Sequence, residues 1–185
     1  EHDMTKSAEY FKLAAAQGNM NAQFSLGVCY AFGFGVAKDE KLAFNNYKLA
    51  ADQGHENAHV SLGNCYYLGI EVEKNINKAT ELFKKAAEKN NAEAQYRLAQ
   101  CFLCGDGVAK DEKQAMNYLK LAADQGHEDA LNDLGNYYYY GKLVIKDLKL
   151  AVECYQKAAD KGNIEAQTYL GECFLSGKGV AKNQA

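Results

Sequence analysis

The most reactive side chains in this chain are its six cysteines. Cys29, Cys65, Cys101 and Cys173 recur at multiples of 36 residues, and Cys101 forms a CxxC pair with Cys104. A thiolate can serve as nucleophile, metal ligand or redox partner, and each use needs other groups to converge on it. Residues a whole helical repeat apart lie beyond the roughly 7 Å between Cα atoms that a disulfide tolerates. The same separation keeps four of them from closing a tetrahedral zinc cage. A redox CxxC wants a helix N-terminus to lower its thiol pKa, and this pair falls near the C-terminal end of a predicted helix. The recurring cysteines therefore read as small buried hydrophobes, and their lack of a pairing pattern favours a reducing, cytoplasmic setting.

The other chemical candidates converge no better. His2, His55, His59 and His127 are scattered, and His55 and His127 each recur in a QGHE turn. The GFG, GDG and GKG segments follow predicted helices and lack the lysine and hydroxyl of a phosphate-binding loop, so they read as helix stops. GxSxG does not occur, the HENAH of His55–His59 belongs to the QGHE turn and so does not stand out as a zinc-binding HExxH helix, and no carboxylate pair stands at a catalytic spacing. The expectation is a non-enzymatic chain with no catalytic residue, no metal site and no cofactor.

Composition narrows the partners. The 185 residues carry a formal net charge of −3, with 48 % hydrophobic and 24 % charged side chains, which is globular composition. A nucleic-acid partner would require a concentrated basic face, so none is expected. No apolar run approaches the roughly 18 residues of a membrane helix, so no membrane insertion is expected either. Proline is absent, and 16 glycines must supply the helix stops.

What positions these residues is a repeat. Gly35–Ala58 and Gly107–Ala130 are identical at 19 of 24 positions at an offset of 72, and half that offset also aligns the chain. Ala43, Ala79, Ala115 and Ala151 form one column of equivalent positions, with Ser7 in the first copy. Ala14, Ala50, Ala86, Ala122 and Ala158 form a second, each followed by another Ala. Leu26, Leu62, Leu98, Leu134 and Leu170 form a third, followed by Gly, Gly, Ala, Gly and Gly. Gly33, Gly69, Gly105, Gly141 and Gly177 form a fourth. Each unit reads as a hairpin of two helices, over Asp39–Gln53 and Asn57–Leu68 in one copy, with GxGV segments linking hairpins. In the first helix Ala43, Tyr47, Ala50 and Ala51 share a face, and in the second Ala58, Leu62 and Tyr66 do. One hairpin cannot bury its apolar stripe alone, so stacked neighbours must supply the core.

The segment AEAQYRLAQCFLCGDGVAKDEKQAMNYLKLAADQG resembles a Sel1-like repeat, whose pattern is A-x-x-x-L-G-x-x-Y-x-x-G-x-G-V-x-x-D and then A-x-x-x-Y-x-x-A-A-x-x-G. The likeness recurs in every copy and covers nearly the whole chain. It implies an all-α fold, a right-handed α-solenoid (superhelix) of about five helix-turn-helix units of 36 residues. Where the family often has proline after the G-V pair, this chain has Ala37, Glu73, Ala109, Ile145 and Ala181. Glu71 and Leu143 replace the first Gly of that pair, which predicts altered linkers there. Some relatives staple each hairpin with a disulfide across its inner turn, but AADQGHENAH and AADQGHEDAL hold no cysteine. The family resembles tetratricopeptide arrays and usually serves as a protein-binding adaptor.

That likeness also places a groove. Phe11, Tyr47, Phe83, Leu119 and Tyr155 read as core, as do Tyr30, Tyr66, Phe102, Tyr138 and Phe174. If the Leu–Gly helix matches the first helix of a tetratricopeptide repeat, other columns face the groove. These are Asn21, Asn57, Glu93, Asp129 and Glu165; Phe24, Val60, Tyr96, Asn132 and Thr168; and Ser25, Ser61, Arg97, Asp133 and Tyr169. Val28, Asn64, Gln100, Asn136 and Glu172 form another, as do Ala31, Tyr67, Leu103, Tyr139 and Leu175. Their chemistry changes from copy to copy, as a binding face on a fixed scaffold would. Partner contacts are expected on this concave face at Asn64, Tyr67, Tyr96, Arg97, Gln100, Asn132, Asp133, Asn136, Tyr139, Tyr140 and Tyr169. Tyr67, Tyr139, Tyr140 and Tyr169 are its expected exposed aromatics, and Glu93, Asp129, Asp133, Glu165 and Glu172 outnumber Arg97. The partner is accordingly a protein or peptide of basic character. Lys12, Lys48, Lys84 and Lys120 make a ridge expected to be solvated.

The chain reads as a single array over residues 1–185 with incomplete units at both ends, part of a longer array. The leading expectation is an adaptor that binds a partner protein or peptide without catalysing a reaction. An alternative is a structural element that self-associates end to end. A further one, implied by cysteine-rich relatives, is binding or hydrolysis of β-lactams.

Overall fold

The computed structural model describes residues 3–180. His2 and Ala181 lie outside the described residues. Among those described there are ten α-helices and no strand. They are α1 (Met4–Ala16), α2 (Met20–Phe32), α3 (Glu40–Asp52), α4 (Glu56–Leu68), α5 (Ile76–Glu88), α6 (Ala92–Cys104), α7 (Glu112–Asp124), α8 (Glu128–Tyr140), α9 (Leu148–Asp160) and α10 (Ile164–Ser176). Odd-numbered helices carry the Ala pair and even-numbered helices the Leu–Gly motif. This is the all-α solenoid of helical hairpins that the period implies.

Every helix starts at a side-chain cap. Asp3, Asp39, Asn75, Asp111 and Asp147 open the Ala-pair helices, each accepting a backbone N–H from the first turn. The Leu–Gly helices open at Asn19, His55, Asn91, His127 and Asn163, which do the same. The linkers then fold back on the helix they leave: Asp39 N–H donates to the Tyr30 carbonyl at 2.9 Å, and Asn75, Asp111 and Asp147 donate to Tyr66, Phe102 and Tyr138.

The Glu71 and Leu143 linkers are not altered, contrary to the sequence expectation. Gly35, Glu71, Gly107, Leu143 and Gly179 all adopt positive φ, at 68°, 56°, 68°, 60° and 74°. Gly107 is needed twice over, because a Cβ there would also lie 2.6 Å from Thr80 Oγ1 and 2.9 Å from the Ile76 carbonyl. Leu143 holds the same left-handed backbone with a side chain attached, which costs an L-residue about 1–2 kcal/mol. Glycine escapes that strain but loses more chain entropy on folding. Leu143→Gly is therefore expected to stabilise by about 0.5–1 kcal/mol, read as a higher chemical-denaturation midpoint. A lower midpoint would show that the Leu143 side chain contributes more than its backbone costs.

Packing is closest across the linkers rather than across the short turns that define the predicted hairpin. In α2, α4 and α8 the Gly after the Leu lies flat on an aromatic ring of the following Ala-pair helix. A Cβ built on Gly27, Gly63 or Gly135 would sit 2.7, 2.6 or 2.6 Å from Tyr47, Phe83 or Tyr155. In α6 and α7 the same place holds Ala99 with Leu119, both buried. A larger side chain on one helix is thus matched by a smaller one on the other.

The described chain divides into two compact units, residues 3–94 with 106–108 and residues 95–105 with 109–180. One cluster in the first unit is Ala8, Leu26 and Cys29, flanked by Phe11, Ala15, Tyr30 and Val36. The core of the second includes Ala99, Met116, Leu119, Leu131, Leu134, Tyr155 and Cys173. Of the second expected core column, Tyr66 is buried and Tyr30, Phe102 and Tyr138 are half-buried, but Phe174 is 55 % exposed. No described helix is long and apolar enough to cross a membrane.

Candidate protein-interaction site

Asn64 and Tyr67 belong to the first unit and the other nine expected contact residues to the second. In the first unit Tyr67 is half-buried, and its hydroxyl donates to Asp106 Oδ2 at 2.8 Å. It ties α4 to a linker and is less free than an exposed aromatic. Asn64 is half-buried, facing an apolar hollow lined by Phe24, Val28, Tyr47 and Ile70.

In the second unit, Tyr96 and Asn132 are buried, at 8 % and 3 % exposure, where the sequence reading expected open groove surface. Their column is interior: Val60 is buried too, Phe24 half-buried, and Thr168 alone exposed. The position lies close enough to the Leu column to be covered in a stacked array. Of the expected exposed aromatics only Tyr140, at 55 %, is more exposed than buried. Tyr139 packs edge-on to Tyr140 with centroids 5.0 Å apart and accepts from Lys178 Nζ at 2.9 Å. Tyr169 stacks on the buried Tyr155 at 5.3 Å, and the Tyr155 hydroxyl donates to Asn136 Oδ1 at 2.8 Å. Arg97 and Gln100 are half-buried on α6.

Beside these aromatics lies an acidic group. The Tyr96 hydroxyl donates to Asp133 Oδ2 at 3.2 Å, and Asn132 Nδ2 donates to Glu165 Oε2 at 3.1 Å. Asn163 Nδ2 donates to Asp129 Oδ1 at 3.0 Å. Burial holds the Asp133 carboxyl above its usual range, and the nearby charges of Asp129 and Glu165 push the same way against the Tyr96 hydrogen bond. Burial likewise raises the Tyr96 hydroxyl, with the Asp133 charge adding to it.

The recurring histidines have a structural role that the sequence reading missed. His55 Nδ1 accepts from Ala58 N–H at 3.2 Å and His127 Nδ1 from Ala130 N–H at 3.3 Å. Their rings stack on Phe24 and Tyr96, with centroids 4.5 and 4.7 Å apart. The signal was present, since Asn19, Asn91 and Asn163 hold the same column and asparagine is a favoured cap. An accepting Nδ1 requires neutral imidazole. Burial lowers the His55 and His59 pKa values from the ordinary 6.5. The unfolded chain then binds protons first, so this contribution to stability is whole above about pH 6.5 and is lost as pH falls through the lowered values. His55→Asn keeps the cap without the titration. Its melting temperature is expected to fall less than wild type between neutral and mildly acidic pH, and parallel curves would contradict this.

The recurring cysteines Cys29, Cys65, Cys101 and Cys173 are buried thiols outside any disulfide, while Cys104 is exposed. Burial pushes the Cys65 and Cys154 thiols up to about 11, far from a reactive thiolate at neutral pH. Lys12, Lys48, Lys84 and Lys120 are all exposed, as expected of a solvated ridge. Among the described residues no group of three or more His, Cys, Asp or Glu could hold a metal ion.

The sequence model described as Sel1 repeat matches six segments, residues 1–19, 21–55, 57–91, 92–127, 128–163 and 164–185. A Sel1 repeat protein from Oxalobacter formigenes superposes with a TM-score of 0.92 at 32 % identity, over 98 % of this chain and 53 % of that one. A protective antigen of uropathogenic Escherichia coli with an SLR fold gives 0.77 at 34 % identity, over 98 % and 39 %. Cysteine rich protein B of Helicobacter pylori gives 0.55 at 27 % identity, over 69 % and 92 %. The chain thus spans about half the length of the first of these proteins and less of the second. No curated protein matches it. Proteins built of this repeat generally mediate protein–protein interaction and act as non-catalytic scaffolds. With the repeat matching almost end to end, the chain belongs to the Sel1 repeat family.

Proposed function

We propose that this chain is a non-catalytic scaffold that binds a partner protein or peptide along the half-buried columns of its Leu–Gly helices, on the concave side of the array. One observation carries the reading. Ser25, Ser61, Arg97, Asp133 and Tyr169 are all half-buried, yet the column passes from two serines to a guanidinium, a carboxylate and a phenol. The neighbouring Leu26, Leu62, Leu98 and Leu134 are all buried and never vary. A column held in one environment with changing chemistry is what a binding face on a fixed scaffold needs. In the second unit Tyr140 supplies a large, rigid contact area with a polar tip, and Glu172 on α10 is exposed beyond it.

The test is quantitative capture of a partner from source lysate by wild type, by Tyr140→Ala/Glu172→Lys, and by Lys84→Ala/Lys120→Ala. All three must first show the same helical melt. Loss of one discrete partner in the first variant and retention in the second is the expected result. Retention in the first with loss in the second would move the site to the lysine ridge and overturn the reading.

A further inference from the structure

The geometry points to a subsite for a cationic side chain, an arginine or lysine of the partner, between Asp133, Asp129 and Glu165 of the second unit, with the Asn132 side-chain carbonyl as an added acceptor. The inference rests on the scaffold reading and specifies what one part of that face would recognise.

Three observations support it. First, none of the three carboxylates forms an ion pair among the described residues; their side-chain partners are the neutral donors of Asn163, Tyr96 and Asn132. Asp129 and Glu165 press on Asp133 as like charges, while the Tyr96 hydrogen bond and His127 act the other way. Second, Asn132 is 3 % exposed, and its Oδ1 is a buried side-chain atom without a hydrogen-bond partner. Its Nδ2 is committed to Glu165 Oε2, and the two heteroatoms of one amide are covalently close, so the orphaned oxygen lies at the edge of the same acidic group. A buried acceptor left unmade is costly, and a donor arriving from outside would relieve it. Third, the walls are built: Tyr96 is buried, stacked on His127, and fixes Asp133 through its hydroxyl. Asp129 and Glu165 are exposed at the rim, where their charge would draw a cation in. A guanidinium suits the place best, because its five donors in a planar fork can serve carboxylates and an amide oxygen together.

The experiment is an NMR titration of the whole chain with Nα-acetyl-arginine amide, following the Asn132 side-chain amide. Nα-acetyl-citrulline amide, of the same shape without the charge, is the control. Saturable shifts with the arginine probe alone are expected, weakening as salt is raised. Affinity should fall about tenfold or more in Asp133→Asn and in Glu165→Gln, as for loss of a paired charge. Asn132→Leu tests the orphan acceptor separately, because its apolar side chain suits the burial: unchanged or improved melting with weakened arginine binding is expected. Equal shifts with citrulline, no saturable response, or wild-type affinity in Asp133→Asn would overturn the subsite. A partner captured through Tyr140 and Glu172 while the arginine probe fails would refute the subsite and leave the scaffold standing. Capture that survives Tyr140→Ala/Glu172→Lys but is lost in Lys84→Ala/Lys120→Ala, together with a saturable arginine response, would do the reverse.

Discussion

Gly63→Ala is expected to destabilise the chain by about 1–3 kcal/mol, and Phe83→Leu is expected to restore much of that loss when added to it. The added methyl would lie 2.6 Å from the Phe83 ring, a separation that real Cβ atoms do not tolerate. Phe83 is 2 % exposed and has nowhere to retreat, so the helices must part or the ring must leave its rotamer. The chain has already solved this problem once, by pairing Ala99 with Leu119 at the equivalent positions. Phe83→Leu alone leaves a void and should itself be destabilising. The two substitutions together should therefore cost less than the sum of their separate effects. A denaturant-unfolding cycle measures the coupling. Strict additivity would mean that helix spacing is set elsewhere than at this contact.

Asp133→Asn is expected to raise the melting temperature at neutral pH while removing the proposed cation subsite. The sign follows from the raised carboxyl pKa, caused first by burial and then by Asp129 and Glu165. The folded state holds the proton more readily than the unfolded chain. Folding is therefore penalised at neutral pH, and the penalty fades as pH falls through the folded value toward the ordinary 3.8. Asparagine removes the charge and can still accept from the Tyr96 hydroxyl. Wild type and variant should consequently converge in acid and separate at neutral pH. Melting curves across that range read the effect, and a variant less stable than wild type at neutral pH would contradict it. A position that costs stability is one where a function other than folding has to be sought.

These two residues mark how differently the sequence exposes scaffold and site. Leu62, Gly63 and Phe83 were legible because each belongs to a column that barely changes, and close packing leaves little freedom to change it. The buried alanine pairs, the glycine stops and the buried cysteine column were readable for the same reason. Asp133, Tyr96 and Asn132 were legible as chemistry but not as placement. Tyr96 and Asn132 looked like groove surface because one is amphipathic and the other polar, yet both are buried. Their burial depends on which neighbouring side chains cover them, and column arithmetic cannot give that. Tyr67 and Tyr139 misled in the same way, since a hydroxyl that looks free in a sequence finds Asp106 or Lys178 in the fold. The linkers erred in the opposite direction: Glu71 and Leu143 read as departures, but the fold imposes the same left-handed turn on them.

The central claim, that a partner lies on the variable face of the Leu–Gly helices, is tested most directly by site-specific photo-cross-linking in cells of the source. A benzophenone amino acid would be placed at Tyr140, which is 55 % exposed on the Leu–Gly helix α8, and separately at Lys120 on the exposed ridge of the Ala-pair helices. The account predicts a discrete cross-linked product from position 140 and none of the same mass from position 120. A product from position 120 alone, or the same ladder of products from both, would contradict it.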